Sequence, residues 1–442
     1  MIESFLLKIK PFRKHFGLFA LFLLLLQMFD GILPQIQILL LHGHVLIPTP
    51  IGRIPLLILL LGTSLIYGGN LPKIFWMPYI LFITYLAIDF LYLLIFKGYN
   101  SHPIYGLATY NNYYSFFLFL PFAFSLYETI STSVFYRILQ SVSIPVILLG
   151  LAQYFLNKSI LPLESLDKHF SVQSVFFYKN HIRAFSLFSS GLLFGTFCNL
   201  ILGISVAYFL ASTGQRRILS AAITILALAG SIVSLTRSNI VQSFLILFSV
   251  GIIHSVQKGL PIKRIGGWLP VMILLLSLGL MLSAPLIHRS TMVLDKTSGH
   301  PEIKVGLSDY TSNDSLSIRY DNWKNLVREY IKTPADLIFG SGRVQSYHSP
   351  FSTVRFIDNS YLATILNTGI FGLCFLLIIL ISLWIYFYKK ARESGDRMAT
   401  GIAAFIATWP FYGLINNAWY VYGIVSLLGV LTASDKFNSR VK

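Results

Sequence analysis

Apolar stretches of about 20 residues, each long enough to cross a hydrocarbon slab near 30 Å thick as a helix, follow one another nearly from end to end of this chain. Of 442 residues, 55% are hydrophobic and only 12% charged, so the chain cannot cover such stretches with a water-facing shell. The pattern predicts an all-α polytopic membrane protein of about 12 transmembrane helices. The spans fall at roughly 16–41, 54–69, 74–96, 112–130, 134–157, 187–210, 217–235, 237–256, 266–286, 359–387, 398–414 and 416–433. Three regions result: residues 1–287 with helices 1–9, an external loop domain at 288–357, and residues 358–442 with helices 10–12 and a tail. The first apolar run is too long for a signal-peptide core and lacks a small-residue cleavage site, so it is expected to stay as a helix.

The formal net charge is +17. In a soluble protein that would suggest nucleic acid, but these cations sit mostly at helix ends and in loops, and no nucleic-acid partner is expected. Lys8, Lys10, Arg13, Lys14, Lys73, Arg137, Arg216, Arg217, Lys258, Lys263, Arg264, Lys389, Lys390, Arg392 and Arg397 fall in alternate loops. Positive charge near span ends marks the cytoplasmic side, which places both termini inside. The segments at about 158–186 and 288–357 then lie outside; long loops translocate regardless of their charge. Cys198 and Cys374 both fall in apolar runs, so neither a disulfide framework nor a metal-thiolate spacing is available.

Within the long external segment, Trp323, Leu326, Val327, Tyr330 and Ile331 recur at helical spacing and predict an amphipathic helix of about four turns. Ser315 or Ser317 can cap its start, and Pro334 is expected to end it. Arg319 precedes Trp323 by one turn, at the edge of the apolar face. That position suits either a guanidinium aimed at a ligand or a snorkelling cation paired with Glu329. Arg237, in "SLTRSN", sits where the seventh span meets the eighth, and Arg183, in "KNHIRAFSLF", opens the sixth. A charge at such depth is costly unless paired or wet, which makes both candidates for anion binding, with an interfacial anchor as the plain alternative. Arg355, Asp358 and Asn359 end the loop before a long apolar helix. Asp358 can serve as N-cap, as general base, or as both. His348, in "SYHSP", is the competing base.

Other signals carry less. Gly340–Arg343 reads "GSGR", a glycine-rich turn without the lysine and Ser/Thr of a nucleotide loop, and is expected only to let the chain reverse. His42 and His44 lack a third ligand, so no metal site is expected. No Asp-x-Asp pair occurs, which argues against a divalent-metal nucleotide-sugar transferase. Asp30 and Asp89 are intramembrane carboxylates that suit a cavity lining or, more simply, helix packing.

The stretch "SIRYDNWKNLVREYIKTPADLIFGSG" followed by "DNSYLATILNTGIFGL" resembles the signature region of the O-antigen ligase and O-antigen polymerase superfamily. Arg319, Trp323, Pro334, Gly340 and Gly342 carry the likeness, and "LTRSN" around Arg237 is an approximate copy of a second family element. The resemblance implies a GT-C-like membrane glycosyltransferase without metal or cofactor. Its substrates would be an undecaprenyl-diphosphate-linked glycan donor and a glycan acceptor. In the ligases a histidine beside the asparagine of the post-loop helix is thought to activate the acceptor hydroxyl; here that position is Asp358, which moves the expectation toward the polymerase branch. Expected roles are Asp358, Arg319, Arg237 and His348 in catalysis, and Arg183, Arg355, Trp323 and Asn359 in substrate binding. The expected location is the bacterial cytoplasmic (inner) membrane, with a chain-length regulator as a plausible partner. A ligase transferring polymer to lipid A core and a transporter of lipid-linked sugars are the alternatives.

Overall fold

A computed structural model describes residues 10–29, 53–69, 71–96, 114–158, 177–178, 181–188, 190–259, 315–342, 359–415 and 419–433. The helices are α1 (Arg13–Met28), α2 (Arg53–Tyr67), α3 (Lys73–Phe96), α4 (Thr132–Leu156), α5 (Gly191–Ala211), α6 (Gly214–Val233) and α7 (Arg237–Gln257). They are followed by α8 (Ser315–Tyr330), α9 (Pro334–Phe339), α10 (Ser360–Ser394), α11 (Arg397–Ile406), α12 (Trp409–Ile415) and α13 (Trp419–Leu431). Two-residue strands complete the description: β1 (Ile130–Ser131) pairs in parallel with β4 (Thr432–Ala433), and β2 (Phe177–Tyr178) pairs antiparallel with β3 (His181–Ile182). Among the described residues six helices, α3, α4, α5, α6, α7 and α10, are long and apolar enough to cross a membrane. The protein is an all-α polytopic membrane protein.

Helix α5 sits at the centre, packed against α6, α7 and α11, and is buried over most of its length. Its glycines allow the close approach: at Gly203 an added Cβ would stand 3.2 Å from the Gly401 carbonyl of α11. By contrast α3 exposes Trp76, Met77, Ile80, Leu91 and Ile95. A helix apolar all round that shows such residues outward needs lipid against that side.

The predicted span at 112–130 is not one helix. Helical residues 114–118 give way to the short turns Leu120–Ala123 and Phe124–Leu126 before the chain enters β1. Pro121 lies in this stretch and supplies no backbone N–H to a preceding turn. The segment is nonetheless core: Tyr114, Phe116, Phe117 and Leu120 are all buried, so its apolarity reflects protein packing rather than a straight crossing. The predicted span at 398–414 is also broken, into α11 and α12, at Ala407–Thr408, just ahead of Pro410. The predicted span at 266–286 lies outside the described residues.

One end of the bundle is tied together by polar contacts. Lys390 forms an ion pair with Glu128 at 3.3 Å and donates to the Thr432 carbonyl at 2.6 Å, while Arg13 Nε donates to the Ser125 carbonyl at 2.9 Å. With the β1–β4 pairing, these contacts gather the start of α1, the chain before α4, the last turns of α10 and the end of α13. These are all ends that the charge pattern assigned to one side.

Helix α10 carries the largest internal break. Thr368 (φ −127°, ψ 15°) and Gly369 (φ 67°, ψ −177°) are non-helical, so the helix is two pieces joined at a kink. Lys390 near its end meets Thr432, while Ser360 at its start accepts a bond from Trp419 at 3.0 Å. The first piece is tied to α12 and α13 through Tyr361, whose Oη donates to the Pro410 carbonyl, and through Trp419.

Candidate active site

The second cluster of polar structure is built from turns rather than helices. Arg183 follows β3 in the irregular segment that leads to α5, and Arg237 is the first residue of α7. Arg183 was expected to open the sixth span, but α5 begins only at Gly191. The two turns are joined to each other: the Ala184 N–H donates to the Val233 carbonyl at 3.2 Å, immediately before the turn that presents Arg237. Gly191 fits between them, because a Cβ there would stand 3.0 Å from the Ser234 carbonyl and 3.1 Å from Arg183 Cβ. Arg183 is half-buried and Arg237 is exposed.

Both turns contain a non-glycine residue in the left-handed region: Ser186 (φ 50°), three residues after Arg183, and Leu235 (φ 50°), two before Arg237. Such residues are uncommon and cost of order 1–3 kcal/mol, so surrounding contacts must impose them. Around Arg183 the fixing contacts come from α4. Asn157 Oδ1 accepts the Ile182 N–H at 2.8 Å, Gln153 Oε1 accepts the N–H groups of Phe185 (3.2 Å) and Ser186 (2.7 Å), and Ser186 Oγ donates to the Val146 carbonyl at 2.7 Å. Around Arg237 they come from Asn239, which is 0% exposed. Its Nδ2 donates to the Leu192 carbonyl (3.0 Å) and toward Ser234 Oγ (3.3 Å), and its Oδ1 accepts from Tyr412 Oη at 2.9 Å.

Helices α8 and α9 reach the same assembly through α10. Leu326 of α8 is buried against Ala363 and Leu366, with Tyr330 and Ile331 partly buried beside it. The amphipathic reading is borne out there, except that Val327 is 38% exposed. Pro334 does not merely end this helix. It is the first residue of α9, capped by Thr333 in a reciprocal box with Asp336, which explains why a proline is tolerated. The turn after α9 does more than reverse the chain. Its Ser341 N–H donates to the Leu366 carbonyl at 2.8 Å, and the Tyr85 hydroxyl of α3 shares its one proton between the carbonyls of Ile338 (2.7 Å) and Thr368 (2.6 Å). Gly340 and Gly369 both adopt positive φ, and a Cβ on either would overlap backbone of the other segment. The glycine-rich turn is thus seated in the kink of α10.

The first piece of α10 completes the circuit. Trp419 Nε1 donates to the Ser360 carbonyl and to Thr364 Oγ1 (2.8 Å), and Tyr361 Oη donates to the Pro410 carbonyl at 3.0 Å. Through Tyr412 of α12 these contacts lead back to Asn239 and the Arg237 turn. The N-cap of α10 is Asn359, whose Oδ1 accepts the Leu362 N–H at 3.0 Å, and not Asp358. Asn359 is buried and committed to that cap, so its expected role in substrate binding has to be read alongside a structural one. Trp323 is half-buried on α8, and Arg319 lies in the second turn of the same helix. Asp358, His348 and Arg355 lie outside the described residues. Asp89 is fully buried in α3, in keeping with a packing position.

Residues 222–377 match the family model described as O-antigen ligase. The chain carries a domain of the O-antigen ligase and polymerase superfamily. The matched region runs from α6 through the Arg237 turn, α7, α8 and α9 into α10, taking in the kink. Such a domain implies a glycosyltransferase-type enzyme of the membrane. Nothing among curated proteins matches the chain.

Sequence reasoning missed Gln153, Asn239, Tyr85 and Tyr412. A signal existed for the first two. Each is an amide inside an apolar span, where a polar side chain needs a partner and so marks a place of interhelical or turn bonding.

Proposed function

We propose that this protein polymerises undecaprenyl-diphosphate-linked oligosaccharide repeat units into O-antigen or a related surface polysaccharide, at the outer face of the bacterial cytoplasmic membrane and with both termini cytoplasmic. The observation that carries this reading is the pairing of two arginine-bearing turns, hydrogen-bonded to each other, the Arg237 turn lying inside the glycosyltransferase-type family domain. Guanidinium groups match phosphate oxygens bidentately, and donors fixed before the reaction stabilise charge that develops during it.

In this reading the acceptor hydroxyl attacks the anomeric carbon of the donor glycan from the face opposite the diphosphate. The bond to the diphosphate oxygen breaks, its electron pair stays with the leaving diphosphate, and the configuration inverts. Arg183, Arg237 and Arg319 take up the charge on the leaving group, so no metal is required. Asp358, or His348 in its place, removes the acceptor's proton, a contribution of about 100- to 10,000-fold when such a base is positioned. Trp323, Arg355 and Asn359 bind substrate. A chain-length regulator is the proposed protein partner.

The second reading is a ligase that passes finished polymer to lipid A core, which the matched family model fits equally. Asp358 in place of the ligases' histidine favours the polymerase. Deleting the gene and resolving surface polysaccharide on a gel separates the two. Loss of a polymerase leaves lipid A core capped with single units. Loss of a ligase leaves it uncapped while lipid-linked polymer persists, and that result would overturn the polymerase reading.

A further inference from the structure

The two arginine turns share a construction that neither the family match nor the sequence motifs describe. Each holds a non-glycine residue at φ 50°, and each is contacted by an amide side chain fully buried inside a membrane helix. Gln153 of α4 accepts two consecutive backbone N–H groups of the Arg183 turn through one oxygen. Because both partners are N–H donors, the oxygen assignment of this amide is fixed. Its Nε2, also buried, has no hydrogen-bond partner among the described residues. A buried orphan donor carries a desolvation penalty, and a position that keeps one calls for a reason. Here the reason is the two bonds on the oxygen, which hold Ser186 in its strained conformation.

Asn239 reaches the other turn through the Ser234 hydroxyl and has more partners. Its amide spans the start of α5 at Leu192, the turn at Ser234 and α12 at Tyr412. Below it, the Asn239 carbonyl accepts bonds from Asn199 Nδ2 (2.8 Å) and Ser243 Oγ (2.9 Å), which links the turn to a buried polar network. Gly195 is shaped for this amide, since a Cβ at that position would overlap it.

We infer that Gln153 and Asn239 are positioning residues that set the two turns so that Arg183 and Arg237 face one anionic group, a diphosphate, together. Neither amide touches the substrate; each acts through the arginine of its own turn. This inference rests on the proposed role of those arginines in binding the lipid diphosphate. It predicts that the amide and the arginine of one turn are not independent, whereas a merely structural amide would lower binding or stability by an amount that adds to the arginine's own effect.

The test uses the purified full-length chain and undecaprenyl diphosphate itself, the leaving group, so that the sugar need not be known. Its dissociation constant is measured for wild type, Arg183→Ala, Arg237→Ala, Gln153→Met and Asn239→Leu, and for the Arg183→Ala/Gln153→Met and Arg237→Ala/Asn239→Leu pairs. Tyr412→Phe, which removes one bond to Asn239 and no volume from the turn, serves as a milder variant. Gln153→Met and Asn239→Leu are each expected to weaken binding about tenfold, the effect of losing a bond or two at the turn. Each double variant is expected to bind no more than about twofold worse than its arginine variant alone. Arginine variants that bind as well as wild type would remove the diphosphate role, and this inference with it. Arginine variants that weaken binding while the amide variants leave it unchanged, or add to it in full, would overturn the positioning role alone.

Discussion

At the scale of single residues, the most demanding position is Gly369. Its φ of 67° is one that side-chain-bearing residues rarely adopt, and a Cβ there would meet the Ile338 carbonyl of the seated turn. Gly369→Ala should cost well over about 1 kcal/mol, the penalty for losing glycine at positive φ without any clash, and should show as a lower melting temperature of the purified protein. Tyr85→Phe leaves the shape intact but deprives the carbonyls of Ile338 and Thr368 of a donor. We expect a loss of about 1–3 kcal/mol, together with faster proteolysis at the turn after α9; unchanged melting and proteolysis would mean that the turn is held by packing alone. In the role proposed for Arg319 the planar fork is what matters. Arg319→Lys should fail to restore polymer in a deletion strain despite normal expression, because a point charge cannot reproduce bidentate binding. The arginines were legible in the sequence as charges at span ends. Gln153 and Asn239 stood out only as amides within apolar spans; their partners were hidden, because these depend on which backbone groups a distant turn brings to the amide, and periodicity holds no information about that.

At the scale of elements, hydropathy located α3, α4, α6 and α7 within a few residues. It failed where apolar sequence serves a protein core rather than lipid. Residues 114–131 and the α11–α12 pair are as apolar as true spans, yet Pro121 and Pro410 accompany breaks in both. The kink in α10 was equally hidden, since "LNTGIFG" reads as uninterrupted helix until the glycine turn from α9 is known to seat against it. Pairing at the opposite end of the bundle was also unreadable: β1 and β4 are two residues each and lie far apart in the chain. That end gives a prediction of its own. The Lys390 and Glu128 side chains are only 8% and 13% exposed, and removing one member of a buried pair strands the other. Glu128→Gln should therefore destabilise the protein by about 3 kcal/mol, toward the low end of such losses because Lys390 keeps the Thr432 carbonyl. A thermal melt in detergent checks this, and an unchanged melting temperature would show the pair to be solvated in practice.

At the scale of the whole molecule, the two ends have different jobs. One is closed by an ion pair, a short parallel ladder and arginine-to-carbonyl bonds. The other is assembled from strained turns, a seated glycine loop and the first piece of α10. We assign the closed end to the cytoplasm and the assembled end to the outside, where a lipid-linked glycan can reach it. Reporter fusions after Lys14 and after Gln257 should both report a cytoplasmic position, while fusions in the 158–186 segment should report an external one. The central claim is that this assembled end transfers glycan from a lipid diphosphate by means of its arginines. Its most direct test is to incubate the purified full-length chain, in the presence of EDTA, with undecaprenyl-diphosphate-linked repeat units from the source strain and to resolve the products by size. We predict a ladder of longer lipid-linked products that disappears with Arg237→Ala; repeat units left unextended by the wild-type protein, or a ladder undiminished by Arg237→Ala, would contradict the claim.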